Sequence, residues 1–130
     1  EADKKWLEDH PVINIVVPSY DPITFIDKNG EISGILGEYT KEIEERLGIK
    51  FMVSNDDFRD SLYNLGSGNA DIIGGLAYTD IRNQAMLFSE PIIKIPLAIF
   101  SNDEYSYAKN SQLDDIKVIT IKGNAVNDFL

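Results

Sequence analysis

Hydrophobic and polar positions follow two rhythms along this chain, and their order predicts an α/β fold. Val12 to Val17, VINIVV, is a β-branched run between Pro11 and Pro18 and predicts a first strand. Ile23 to Asp27 and Glu31 to Ile35 read as two short extended pieces joined at Lys28-Asn29-Gly30, a hairpin signal. From Ile35 the period lengthens: Ile35, Tyr39, Ile43 and Leu47 recur every four residues. Glu38, Lys41, Glu42, Glu45 and Arg46 take other faces, so this is an amphipathic helix with a solvated charged side, ended by Gly48.

Ile49 to Val53 predicts a second strand, followed by the polar turn Ser54-Asn55-Asp56-Asp57 with Asp56 as the expected N-cap. Phe58, Leu62 and Leu65 mark a second helix stopped by Gly66-Ser67-Gly68. That Gly-x-Gly follows a helix, whereas phosphate-binding glycines follow a strand, so it reads as a C-cap. Asp71 to Gly74 is the third strand. Strand and helix therefore alternate as β-α-β-α-β. Right-handed crossovers make this a parallel sheet with the first strand in the middle.

The ends of the chain are less regular. Glu1 to His10 reads as a short helix or turn that packs Trp6 on the body. Ile92 to Phe100 is an extended apolar segment broken by Lys94 and Pro96, which indicates a bend or crossing. Asn102 to Asp115 is polar loop with some helix around Leu113, and Lys117 to Ile121 is a further strand. Gly123-Asn124-Ala125 opens another helix.

Candidate chemistry concentrates in Asp71 to Arg82, DIIGGLAYTDIR. A strand end is followed by Gly74 and Gly75, where backbone can approach a ligand. Thr79 stands three residues before Arg82, as a helix N-cap does. Amide donors at a helix start and a guanidinium suit a small anion such as a carboxylate. Alone, this motif reads more readily as a loop with a solvated surface arginine than as an anion site. Ligands of open parallel sheets sit beyond the carboxyl ends of the strands, at the switch point. There the loop Pro18 to Pro22, carrying Tyr20, would meet the loop Gly75 to Arg82. Tyr20 either packs over its own loop or lines a pocket.

Composition narrows the partner. The 130 residues, 43% hydrophobic and 26% charged, describe a globular chain with one modest core. The net charge of −10 disfavours nucleic acid and anionic membrane, and gives Arg82 weight as a local positive site. There is no cysteine and a single histidine, His10, so thiolate chemistry and a packed histidine base are not expected. No metal or cofactor site is expected. The polar start of the chain is not a signal peptide, which was either removed or never present.

Several separated motifs carry a family resemblance. Tyr20-x-Pro22, Phe25-x-Asp27-x-x-Gly30-x-x-x-Gly34, Arg46-Leu47-Gly48, Ala70-Asp71-Ile72, Thr79-x-x-Arg82 and Phe88-Ser89-x-Pro91 resemble the extracytoplasmic solute-binding proteins of family 3. Trp6-Leu7-x-x-His10-Pro11-Val12-Ile13 and Lys122-Gly123-x-Ala125 look more like the Venus-flytrap sensor modules of bacterial transmembrane receptors. The resemblance implies a periplasmic binding protein-like clamshell of two lobes. Residues 1–95 would form the first lobe, lacking its C-terminal return, and residues 96–130 the beginning of the second. It also implies that Arg82 grips a ligand carboxylate, that backbone around Gly75 and Ala77 assists with Thr79 shaping the turn, and that Tyr20 packs on the ligand.

Three positions depart from the amino-acid binders this chain resembles. Ala77 stands where many carry serine or threonine, Val17 where some cationic amino-acid binders carry aspartate, and Ala125 lacks a hydroxyl at a second-lobe contact position. An amide or a different carboxylate thus stays open beside an α-amino acid, as does no ligand. The resemblance implies an extracytoplasmic small-molecule sensor domain that signals through an attached membrane receptor. Its alternative is a solute-binding protein serving an ABC importer. No acid/base constellation for an enzyme can be assembled, and Glu90 reads as structural. Half a clamshell would leave apolar surface uncovered, which favours a homodimer of the isolated piece and weak or no ligand binding by it.

Overall fold

The computed structural model describes residues 2–100, 117–122 and 124–128. The expected strand Lys117 to Ile121 is not formed, since residues 117–121 carry no ladder among the described residues. A strand needs a partner for its backbone donors and acceptors, and among the described residues these find no ladder. The segment Asn102 to Asp115 lies outside the described residues. The expected last helix is a 3-10 turn, Ala125–Asp128.

Two compact units divide the chain, Glu1–Leu76 and Ala77–Leu130. The first unit contains helix α1 (Ala2–Asp9), strand β1 (Val12–Val16), the hairpin β2 (Phe25–Ile26) and β3 (Ile32–Ser33), helix α2 (Ile35–Leu47), strand β4 (Lys50–Ser54), helix α3 (Phe58–Ser67) and strand β5 (Ile72–Ile73). The sheet order is β4-β1-β5, with β1 parallel to both neighbours. This is the expected β-α-β-α-β arrangement, with the first strand central.

Burial explains why β1 is the axis. Ile13, Ile15 and Val17 are buried, and Val16, which points to the other face, is buried too. Ile15 and Val17 cluster with Ile32 and Leu36, and Ile26, Phe51 and Val53 pack against them. Each such side chain stabilises the fold by roughly 1.5–3 kcal/mol. Helix α2 packs on β3 and β4, and α3 on β1 and β5. The outer edge of β4 is partly closed by Glu44, whose carboxylate accepts the Phe51 N–H at 2.7 Å and the Lys50 ammonium at 3.2 Å.

Helix ends follow local chemistry, with one correction. Gly48 closes α2 and Gly68 closes α3, each through backbone N–H bonds to the preceding turn. The N-cap of α3 is Asp57 and not Asp56. The Asp57 backbone is extended and its carboxylate accepts from the N–H groups of Arg59 and Asp60. Asp56 instead accepts from the Ser54 hydroxyl and the Asn64 side-chain amide, each at 2.9 Å.

Two apolar elements take other positions than their pattern implies. Trp6 is 49% exposed and stacks on His10 at 4.3 Å between ring centroids, so it anchors the end of its own helix and is not buried on the body. On α2 the row Ile35, Tyr39, Ile43 and Leu47 is exposed, while Leu36, Gly37 and Thr40 are buried. The inward face is chosen by close approach. A Cβ on Gly37 would lie 2.4 Å from the Ile32 carbonyl oxygen, so the helix meets β3 at the residue without a side chain.

Candidate ligand-binding site

In the first unit the site is built where β1 and β5 finish. The ladder runs one step past each strand: Val17 N–H donates to the Ser54 carbonyl at 3.0 Å, and Gly74 N–H to the Val16 carbonyl at 2.9 Å. After buried Pro18 the chain turns back on itself. Tyr20 N–H donates to the Thr24 carbonyl at 2.7 Å, and Thr24 N–H to the Tyr20 carbonyl at 3.1 Å. The Asp21–Pro22 peptide inside this turn is cis. The Tyr20 ring is half exposed at 54%.

Two glycines hold that turn. Gly34 has φ +82°, and a Cβ there would lie 2.5 Å from the Pro22 carbonyl oxygen and 2.6 Å from that of Ile23. The turn therefore rests directly on backbone, and Leu36 N–H fastens it by donating to the Ile23 carbonyl at 3.1 Å. Gly75 has φ +75°, and a Cβ built on it would stand 3.1 Å from the Thr24 methyl carbon. Tyr20 and Gly75 are thus neighbours through Thr24. Thr24 itself, 1% exposed, joins the two turns and is singled out by no sequence motif. Gly34 did carry a signal, as the last glycine of the motif beginning at Phe25.

In the second unit Ala77, Thr79 and Arg82 form one small hydrogen-bonded turn. Thr79 is extended and 3% exposed, and its hydroxyl accepts the Arg82 N–H at 3.3 Å. It caps helix α4 (Asp80–Asn83), which is four residues long. The Arg82 Nη1 donates to the Ala77 carbonyl at 2.8 Å, so the side chain folds back over its own loop. A guanidinium has five N–H donors in a planar fork, and one of them is directed at this carbonyl. Tyr78 packs edge-on against Phe88 at 5.2 Å and its hydroxyl donates to Asp80 at 3.3 Å, which braces the same turn.

The departures also have places. Val17 is fully buried in the core of the first unit, at 0% exposure. Ala125 is buried in the second unit, at 8%. Among the described residues no cluster of His, Cys, Asp and Glu could hold a metal ion, and no helix is long and apolar enough to cross a membrane. Chemically, the two sets of groups offer an aromatic face with glycine backbone in one unit, and an oriented cation in the other.

Comparison with known proteins bears on the family of the chain. The family model for bacterial extracellular solute-binding proteins, family 3, matches residues 12–121. The sensor protein EvgS of Escherichia coli K12 is 30% identical over 74% of this chain and 8% of its own length. The chain thus spans a small part of that relative. The membrane-bound lytic murein transglycosylase F of Pseudomonas putida is 26% identical over 92% of this chain and 25% of its own length. Among solved structures, the periplasmic domain of BvgS from B. pertussis superposes with a TM-score of 0.60 at 26% identity, covering 65% of this chain and 17% of that one. Domain 1 of TmArgBP from T. maritima, in its arginine-bound form, superposes with a TM-score of 0.57 at 27% identity, covering 66% of this chain and 70% of that one.

Proposed function

Since the chain belongs to the bacterial extracellular solute-binding proteins of family 3, we propose that it is the ligand-binding part of an extracytoplasmic sensor domain in a transmembrane signalling receptor. Its ligand is a small amino-acid-like or carboxylate-bearing molecule. The single observation that carries this reading is the Thr79-capped turn that fixes Arg82 against the Ala77 carbonyl. An arginine held in one orientation can meet a carboxylate through two parallel N–H donors, and little side-chain freedom remains to be lost on binding.

Tyr20 supplies a flat apolar surface for the ligand body, and Gly75 lets backbone come close. Residues 1–95 serve as the first lobe and 96–130 as the start of the second. A ligand that touches both lobes favours the closed arrangement by its differential affinity for it, and that shift is the signal. Sensor relatives favour the receptor over the alternative of delivery to an ABC importer. The arginine bound by domain 1 of TmArgBP supports an amino-acid-like ligand and binding determinants within one lobe. In this reading the ligand is bound without turnover. The exposed α2 row, Ile35, Tyr39, Ile43 and Leu47, supports self-association of the isolated chain.

The test is titration calorimetry of the full-length protein with the common amino acids and small carboxylates, repeated on Arg82→Ala. The variant should lose about 2–5 kcal/mol of binding free energy, as for removal of one partner from a desolvated charge pair. Unchanged affinity, or consumption of the bound ligand, removes the reading.

A further inference from the structure

Four polar side chains are buried among the described residues: Thr24, Thr40, Ser61 and Thr79. Three have partners. Thr40 donates to the Gly37 carbonyl at 2.9 Å, Ser61 donates to the Asp56 carbonyl at 3.5 Å, and Thr79 accepts from Arg82 at 3.3 Å. The Thr24 hydroxyl has none, although the residue is 1% exposed. An orphaned buried hydroxyl is unfavourable by more than an ordinary hydrogen bond contributes, and a valine of the same shape would avoid it.

The position of this orphan is what makes it informative. The Thr24 backbone is pinned on both sides by Tyr20, so its side-chain rotation is the freedom that remains. Its methyl group faces Gly75, which presents backbone and no side chain. The core cluster around Val17 is made of Ile, Leu, Val and Phe side chains, yet the residue in contact with both the Tyr20 turn and the Gly75 turn is a threonine.

Resting on the ligand-binding reading above, we propose that Thr24 is a specificity-determining residue, whose hydroxyl lacks a partner in the unliganded protein and hydrogen-bonds a polar group of the ligand when it is bound. Because Thr24 is 1% exposed, this contact requires the threonine to rotate and the Gly75 turn beside its methyl group to yield as the ligand enters. The unfavourable state is then relieved only on binding. That makes the hydroxyl a differential contact, and it discriminates against ligands that offer an apolar surface at this point.

The experiment compares wild type, Thr24→Val and Thr24→Ser in the full-length protein, by thermal melting without ligand and by titration with L-arginine and the other common amino acids. Thr24→Val should melt higher than wild type when unliganded, yet bind its ligand about tenfold more weakly, the size of one lost hydrogen bond. Thr24→Ser keeps the hydroxyl and should stay within about threefold of wild-type affinity. Equal affinity of the valine variant and wild type overturns the inference alone. A lower melting temperature for the valine variant also overturns it, because the hydroxyl then has a partner in the unliganded state. If wild type binds none of these probes, the amino-acid reading fails and the inference fails with it.

Discussion

The Asp71 carboxylate clasps Asn14: its Oδ2 accepts the Asn14 backbone N–H at 2.8 Å and the side-chain amide at 3.1 Å, while Asp71 N–H donates to the Asn14 carbonyl at 2.9 Å. The clasp lies one step before the register pair Ile15 and Ile72. It sets where β5 starts along β1, and so where the Gly74-Gly75 turn emerges. Asp71→Ala should destabilise the fold by about 1–3 kcal/mol, read from the denaturant midpoint, because two donors on Asn14 lose their charged acceptor. A loss below about 0.5 kcal/mol would mean that the β1–β5 register is set by side-chain burial alone.

Gly34 is the floor of the Tyr20 turn. Gly34→Ala places a methyl group into the Pro22 and Ile23 carbonyl oxygens and forces a side chain into the left-handed region. The expected cost is about 1–3 kcal/mol or more, with weakened ligand binding in the same variant. Crystals of the variant with the turn unmoved would contradict the account of how it is supported.

Thr79 combines a cap with burial. Thr79→Ala should cost about 1 kcal/mol of stability and weaken carboxylate binding, since Arg82 loses the hydroxyl that holds its N–H. Thr79→Ser retains the oxygen and should restore most of both. If alanine and serine bind alike, the cap has no part in orienting the guanidinium.

Asp27 links the hairpin to pH. Its carboxylate is held below the usual carboxylate range, first by the Glu31 N–H and then by the Asn29 N–H; desolvation opposes this, and the Asn29 side chain and the Lys41 charge add to it. The folded value is depressed, so the unfolded chain takes up the proton more readily. The stabilisation is complete above the unfolded value and is lost as pH falls through the folded one. Asp27→Asn should flatten the acid limb of the stability profile and leave the neutral region nearly level. Parallel acid limbs for variant and wild type would assign the acid sensitivity to other groups.

Much of the framework is legible without coordinates because its causes are local. The β-branched run at Val12, the Asn29-Gly30 turn, and the stops at Gly48 and Gly68 each act within a few residues. The alternation of strands and helices then leaves one parallel order, with β1 central. Other assignments depend on atoms distant in sequence. Asp56 and Asp57 are equally good caps on paper, and only the position of Asn64 and Ser54 draws Asp56 away. Thr24 carries no motif at all, since an unsatisfied hydroxyl is defined by what surrounds it.

The amino-acid order alone determined the strands and helices of the first unit, their parallel succession and the pairing of Thr79 with Arg82, for these follow from period, caps and turn chemistry. Tertiary structure decided which surfaces are used. It turned the Ile35, Tyr39, Ile43 and Leu47 row outward because Gly37 permits the closer approach to Ile32, and it left Trp6 stacked on His10. Periodicity says which residues share a face, whereas only packing against a partner says which face is covered.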